Sequence, residues 1–176
     1  MRVIAGKYRG MILKTREGLK TRPTLDNVKE AMFNIIGFKI YNSVVLDLFS
    51  GSGALGIEAL SRGAKEVVFN DADKEAITYI KDNLERLKVE ESYKIYNLDY
   101  KECLNRINKP IDIVLLDPPY KLYVYDEILK YLEEHNLLNE NALIIFECEK
   151  EFQFSTEKYK VKEYKYGKKK LITLKR

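Results

Sequence analysis

Val44-Val45-Leu46-Asp47-Leu48-Phe49-Ser50-Gly51-Ser52-Gly53-Ala54-Leu55-Gly56 is the stretch whose reading decides the fold. A β-branched run ends in a glycine-rich turn, and that turn opens a helix. Near-continuous apolar runs of this length belong to parallel strands covered on both faces. Glycines at the turn permit positive φ and let a backbone approach a ligand closely. Gly51, Gly53 and Gly56 have the spacing G-x-G-x-x-G, which alone is a weak signal. Asp47 lies four residues before the first glycine. No phosphate calls for that carboxylate, whereas a ligand carrying an ammonium group would use it, directly or through water.

Working outward, four more runs read as strands: Val67–Asp71, Tyr93–Tyr96, Ile111–Asp117 and Ala142–Glu147. Helical patterns lie between them. Ala76, Ile77, Ile80, Leu84 and Leu87 share one face of a helix over residues 74–88 that Asp73 can cap. Residues 53–62 and 124–135 also fit helices. Strands alternating with helices predict right-handed βαβ units and a parallel sheet, an α/β fold. The ends differ. Residues 2–15 read as a small hairpin around Gly6–Gly10. Thr24 caps a helix in which Leu25, Val28, Met32 and Ile35 line one face. Val161–Tyr166 and Lys170–Leu174 flank Gly167 as a closing antiparallel hairpin.

The 176 residues predict a single domain, with residues 1–36 as a substrate-docking extension and 42–176 as the catalytic core. With 45% hydrophobic and 33% charged residues, the chain is too apolar for disorder. No apolar run reaches the length of a bilayer span, and no signal peptide is legible, so a cytoplasmic location is expected. Cys103 and Cys148 stand apart, which predicts two buried free thiols and neither a disulfide framework nor a metal site. The net charge of +4 is unevenly spread. Residues 1–30 carry eight Lys/Arg against three acids, net +5, and residues 158–176 carry nine against one, net +8, leaving −9 in the middle. Basic ends around an acidic middle suggest a polyanion docking at the ends. Arg2, Lys7, Arg9, Lys14, Arg16, Lys20 and Arg22 are the candidate phosphate contacts, and Lys168–Lys170 reads as an exposed turn.

Asp71 ends the second strand about 20 residues after the glycine loop, where a carboxylate can accept ribose hydroxyls. Asp73 competes for that role but is also a helix cap. Asp99 follows the third strand, where it can read an adenine amine or cap a helix. Asp117-Pro118-Pro119-Tyr120 ends the fourth strand, at the sheet edge where ligands bind. Two prolines remove N–H donors and leave carbonyl acceptors. Asp117 adds a carboxylate, and Tyr120 a stacking face. Acceptors beside an aromatic plane suit an amine attached to a planar ring. Hydrogen bonds to Asp117 and the Pro118 carbonyl favour a pyramidal nitrogen that can attack an electrophilic methyl in line, by positioning and electrostatics alone. The lone histidine, His135, reads as a helix-end residue and not as a base. Among the many aromatic residues, Tyr120 and Tyr8 are the stacking candidates.

Asp47–Gly53 is similar to the first motif of class I S-adenosylmethionine methyltransferases, and Asp117–Tyr120 to their amino-methylating motif. The blocks Arg2-Val3-Ile4-Ala5-Gly6-Lys7-Tyr8-Arg9-Gly10 and Arg22-Pro23-Thr24-x-Asp26-x-Val28-Lys29-Glu30-x-x-Phe33-Asn34 narrow this. Together they resemble the bacterial RsmD family, nearly end to end. Asn70 departs from the apolar residue expected before the ribose acid. The resemblance implies a Rossmann-like sheet of seven strands, mostly parallel, with helices on both faces and the last hairpin inserting an antiparallel strand. It implies S-adenosylmethionine as cofactor, held by Asp47, Phe49, Gly51, Gly53, Asp71 and Asp99. It implies 16S rRNA as substrate, naked, protein-bound or in the small subunit, methylated on guanine N2 at position 966 in Escherichia coli numbering. Arg2, Lys7, Arg9 and Arg22 would meet the RNA, and no metal would be needed. Three other activities compete. An N6-adenine methyltransferase shares the D-P-P-Y chemistry but has no room here for a DNA-reading domain. A nicotinamide oxidoreductase shares the glycine spacing but leaves D-P-P-Y without a purpose. A noncatalytic RNA-binding scaffold is opposed by the intact Asp47, Asp117 and Tyr120.

Overall fold

The seven strands hydrogen-bond in the order β3-β2-β1-β4-β5-β7-β6. The computed structural model describes residues 1–16, 23–118, 124–148, 158–166 and 169–176, with the side chains of residues 23–25 and 166 outside that description. β1 (Val44–Asp47), β2 (Glu66–Asn70), β3 (Ser92–Tyr96), β4 (Ile111–Leu116) and β5 (Leu138–Cys148) are parallel. β7 (Lys169–Lys175) runs antiparallel between β5 and β6 (Lys160–Tyr166). The last hairpin therefore inserts its second strand into the sheet. β5 ends and β7 begins at the same sheet edge, Cys148 pairing with Lys170.

Alternation along each strand places helices on both faces. Val45, Val67, Phe69, Ile113, Leu115 and Ile145 pack into one core with α1 (Pro23–Ile36), α2 (Ala54–Ser61) and α3 (Lys74–Arg86). Their neighbours Leu46, Val68, Val114, Leu116, Ile144 and Phe146 pack into a second core with α4 (Tyr100–Arg106) and α5 (Tyr125–Glu134). A 3-10 turn at Gly37–Ile40 leads from α1 into β1. This is the Rossmann-like class I methyltransferase architecture.

Several expectations shift. β3 is an edge strand and mostly exposed, not a buried run. β5 begins at Leu138, four residues before the expected Ala142, with a register shift between Ile111 and Ile113 on its partner. Cys103 is buried, but Cys148 is only half-buried near the strand end, so one of the two expected buried thiols is not. Burial pushes the Cys103 thiol up to about 12. His135 ends α5 exposed, its ring stacked on Tyr131, as a helix-end residue should be. The predicted cap residue Thr24 lies outside the described side chains, as Gly167 and Lys168 lie outside the described residues. Among those described, no helix is long and apolar enough to cross a membrane.

The first sixteen residues form the expected hairpin, with Arg2 bridging Ile12. It is not a loose flap. Gly6 adopts φ +84°, and a Cβ there would lie 1.8 Å from the Ser61 carbonyl oxygen. The close approach lets Lys7 N–H donate to that carbonyl, Tyr8 N–H to Ser61 Oγ, and Ser61 Oγ–H to the Ala5 carbonyl. Ile4 and Ala5 N–H both donate to the Glu58 carboxylate. Glu58 and Lys29 are 0% and 3% exposed and form an ion pair at 3.3 Å, with Arg62 donating to the same carboxylate. A buried charge pair tolerates its desolvation only when its remaining hydrogen-bonding capacity is filled. Here the hairpin backbone fills it, with Lys29 also donating to the Arg2 carbonyl.

Candidate active site

A cleft of about 610 Å³ opens between α1 with the N-terminal hairpin on one side and the C-terminal edge of the parallel strands on the other. That volume is in the range of cofactor and substrate pockets. The sheet side is built by the loops after β1 (Phe49–Ser52), β2 (Asn70–Asp73), β3 (Leu98–Tyr100), β4 (Asp117, Pro118) and β5 (Glu147). The other side is built by Asp26, Val28, Lys29 and Met32 of α1, with Met1, Thr15 and Arg16.

The glycine loop has the geometry its sequence requires. Gly51 sits at φ +54° with open space where a Cβ would stand, and Gly53 at φ +80° precedes α2. Gly56 presses on Phe69, whose ring atom would lie 2.2 Å from an added Cβ. Asp47 does not line the cleft. It is wholly buried beneath the loop, where one oxygen accepts the Gly56 N–H at 2.9 Å and the other has no partner among the described residues. Burial raises its carboxyl to about 7, and the nearby carboxylates of Asp117 and Asp71 add to the shift.

Asp71 and Asp73 are separated by what they hold. Asp71 accepts Gly51 N–H through one oxygen and Asp73 N–H through the other, both at 2.9 Å. A carboxylate has about four lone-pair positions, so room remains for hydroxyl donors. Asp73 caps α3 by accepting Glu75 N–H and is met by Arg16. Asp99 caps α4 by accepting Lys101 N–H, and it also lines the cleft beside Leu98 and Tyr100. The capping reading of Asp99 is thus shown, and its place on the cleft leaves the carboxylate within reach of a ligand. Phe49 and Tyr100 face each other, ring centroids 5.8 Å apart, on this side of the cleft.

Asn70, the residue out of pattern, proves to be a clasp. It is buried, and its amide donates to the Leu48 and Leu98 carbonyls while its backbone exchanges hydrogen bonds with Ser50. One residue thus ties together the loops after β1, β2 and β3. An apolar residue could not do this.

Asp117 follows β4 on the sheet side of the cleft, exposed and without a hydrogen bond to another described residue. Protein packed around its other sides, together with Glu147, pushes its carboxyl up to about 6, while Lys169 acts in the other direction. Pro118 is buried beside it. Tyr120, Arg22 and Lys20 lie outside the described residues.

The basic N-terminus is less free than the sequence suggests. Lys7 is held between Glu90 and Glu91 at 3.1 and 3.0 Å, Lys14 meets Asp82, and Arg16 meets Asp73 and Glu75. Arg2 lies 3.9 Å from Asp26 and is largely exposed. Arg9 is exposed and makes no ion pair with another described residue. Tyr8, a stacking candidate by sequence, is 7% exposed, with its hydroxyl on Glu91. Its ring is committed to the core and cannot serve as a base platform.

Residues 1–175 match the family model described as Conserved hypothetical protein 95. The chain is 42% identical over 154 residues to the ribosomal RNA small subunit methyltransferase D of Haemophilus influenzae, covering 86% of this chain and 80% of that one. It is 40% identical over 156 residues to a presumptive rRNA methyltransferase of Bacillus subtilis, covering 87% and 85%. Among solved structures, a presumptive methyltransferase from Escherichia coli superimposes with a TM-score of 0.87 at 32% identity, over 100% of this chain and 97% of that one.

Proposed function

The chain belongs to the RsmD family, whose model is the Conserved hypothetical protein 95 match, and on that premise we propose that it transfers a methyl group from S-adenosylmethionine to the N2 amine of a guanine in small-subunit rRNA. The target nucleotide on this reading is position 966 in Escherichia coli numbering. The observation that carries the proposal is the convergence of two sites on one cleft. The carboxylates Asp71 and Asp99 line it beside the glycine loop, and Asp117-Pro118 stands at the end of β4.

The residues present fit this cofactor. An orphaned, buried Asp47 oxygen under the loop and three carboxylates within electrostatic reach of one another favour a cationic ligand. A sulfonium with an ammonium group satisfies them, whereas the diphosphate of a nicotinamide cofactor would be repelled. Asp71 would hold the ribose hydroxyls. Asp99 would read the adenine amine, with Phe49 at the apolar wall. Gly51 and Gly53 would let the backbone approach, and Asp47 would reach the ammonium through water.

The cofactor, when bound, supplies an electrophilic methyl group. The chain supplies the rest. Asp117 and the Pro118 carbonyl accept the two N–H groups of the base amine and turn its lone pair toward the methyl carbon. On gaining the methyl group the amine nitrogen would shed a proton, which the Asp117 carboxylate would hold. Tyr120 would stack on a base drawn out of its own stack. Arg2, Arg9 and Arg22 are the proposed phosphate contacts, while Lys7, expected among them, is occupied by Glu90 and Glu91.

The test is to incubate the protein with methyl-labelled cofactor and, separately, deproteinised rRNA, small ribosomal subunits and DNA, then to identify the methylated nucleoside by mass. N2-methylguanosine in small-subunit RNA is the expected product. N6-methyladenine in either nucleic acid would replace this reading with the adenine one.

A further inference from the structure

Asp117 and Pro118 offer acceptors to any exocyclic amine, so they do not choose between guanine and adenine. The choice needs a group that reads the ring nitrogen next to the amine. Guanine carries N1–H there, a donor, and adenine carries a bare nitrogen, an acceptor. Among the described residues that α1 and the N-terminal hairpin contribute to the cleft, the one carboxylate is Asp26 on α1.

Asp26 is poorly served by its own protein. Its Oδ1 is buried without a hydrogen-bond partner among the described residues. Its Oδ2 lies 3.9 Å from Arg2, which is 67% exposed and too far for a hydrogen bond, and the Met1 ammonium and Lys29 act on the carboxylate as charges without hydrogen-bonding it. Such an exposed pair contributes little. The adjacent cation on the same helix, Lys29, is already committed to Glu58 and the Arg2 carbonyl. Four residues among those described have buried side-chain oxygens with no partner: Asp26, Asp47, Glu66 and Asn70. Glu66 is far from the cleft chemistry and pairs with Lys109 through its other oxygen. The remaining three lie in or directly under the cleft, as expected if a ligand completes them.

We infer that Asp26 is the base-reading residue, whose carboxylate accepts the N1–H of the target guanine while Asp117 holds the neighbouring amine. This rests on the methyl-transfer reading above and adds its specificity. A carboxylate only accepts hydrogen bonds. It therefore matches the two adjacent donors of guanine and opposes the N1 lone pair of adenine. A site built around a donor rejects the analogue lacking it far more strongly than a pocket rejects a small change in shape.

The experiment compares single-turnover methylation of small-subunit rRNA carrying either guanine or 2-aminopurine at the target. 2-Aminopurine keeps the 2-amine but has no N1–H. The wild-type protein should prefer guanine by about 10- to 100-fold, the loss of one charge-assisted hydrogen bond. Asp26→Asn, nearly the same in shape, can donate to a bare N1, so guanine should lose and 2-aminopurine gain, with the preference falling at least tenfold. Cofactor affinity, measured by calorimetry, should stay within about twofold. A preference unchanged in Asp26→Asn overturns the inference, as does an equal loss on both bases or a fall in cofactor affinity, which would place Asp26 at the cofactor instead. A wild-type protein that methylates adenine and not guanine overturns the functional reading itself, and base-reading by Asp26 with it.

Discussion

Asp47 grips Gly56 across the first turn of α2, its carboxylate accepting that N–H at 2.9 Å through one oxygen and leaving the other buried and unpartnered. The bond fixes the glycine loop that builds one side of the cleft. Its cost is a carboxyl raised from near 3.8 to about 7 by burial, with Asp117 and Asp71 adding repulsion. A raised carboxyl means that the folded protein binds the proton more tightly than the unfolded chain. The stability it contributes is complete below about pH 4 and is lost as pH rises through about 7. Asp47→Asn removes that loss. Ligand-free Asp47→Asn should match wild type near pH 4 and exceed it at pH 8 by on the order of 1–4 kcal/mol, a difference of several degrees in Tm. The same substitution should weaken cofactor binding, because the amide no longer balances an ammonium. Equal Tm differences at both pH values would show that the buried charge is not the cause.

Asp117→Ala should lower the single-turnover rate by about 10²–10³ while leaving cofactor affinity unchanged, since the carboxylate addresses the base amine. The wild-type rate should also rise with pH through about 6, where the carboxyl ionises. Glu147 raises that value and Lys169, which pairs with Glu147, lowers it. Glu147→Gln should therefore move the inflection to lower pH. An inflection that stays in place, or a rate loss under threefold in Asp117→Ala, would remove Asp117 from the chemistry.

Asp71→Ala and Asp73→Ala should separate cleanly. Asp71 holds Gly51 and keeps lone pairs for ribose, so its loss should raise the cofactor KM more than it lowers kcat. Asp73 caps α3, so its loss should cost about 1 kcal/mol of stability and spare cofactor affinity. Calorimetry with the two results exchanged would move the ribose contact by two residues.

What the sequence made legible follows from local periodicity. The run into Gly51, the shared face of Ala76, Ile77, Ile80 and Leu84, and the placement of Asp117 at a strand end all depend on near neighbours, and each stands. What escaped depends on distant ones. α4 is short and buries only Cys103 and Leu104, too few positions to show a period. The early start of β5 is hidden by Asn139-Glu140-Asn141, three polar residues of low strand propensity. The Lys29–Glu58 pair joins residues 29 apart in sequence and so leaves no local pattern, yet a lone acid within the largely apolar Ala54–Ser61 is a usable sign of a buried pair. Tyr8 looked free for the same reason that Lys7 did. Their partners, Glu90 and Glu91, lie more than 80 residues away.

Gly6→Ala should be among the most damaging single changes outside the cleft. The methyl group meets the Ser61 carbonyl, and φ +84° is strained for any L side chain. Left-handed strain and overpacking together should cost roughly 2–4 kcal/mol, several degrees or more in Tm for a chain of this size. Because the hairpin backbone completes the Glu58–Lys29 pair, the substitution should also expose residues 1–16 to protease. A Tm within one degree of wild type would show that the hairpin docks by other means.

At the proposed RNA-docking surface, the fold and the charge pattern disagree. Counting charges along the chain treats Lys7 and Arg9 as equals at the basic end. In the fold, Lys7 is neutralised by Glu90 and Glu91, whereas Arg9, two residues on, is exposed and makes no ion pair with another described residue. A phosphate approaching Lys7 must displace or confront two carboxylates, while Arg9 offers its charge at no such cost. Removing one cation that neutralises a phosphate of single-stranded RNA should reduce the log–log salt slope by about 0.7. Arg9→Ala should therefore weaken RNA binding and flatten its salt dependence by about that amount. Lys7→Ala should change the slope little, because the lysine it removes is already engaged by two carboxylates and is not free to neutralise a phosphate. Glu90→Gln with Glu91→Gln should strengthen binding by uncovering Lys7. Filter binding across a salt series, with cofactor affinity as the check on folding, reads all three. A larger loss from Lys7→Ala than from Arg9→Ala would mean that the RNA breaks the Lys7 pairs on docking, and that the ligand-free charge arrangement does not define the docking surface.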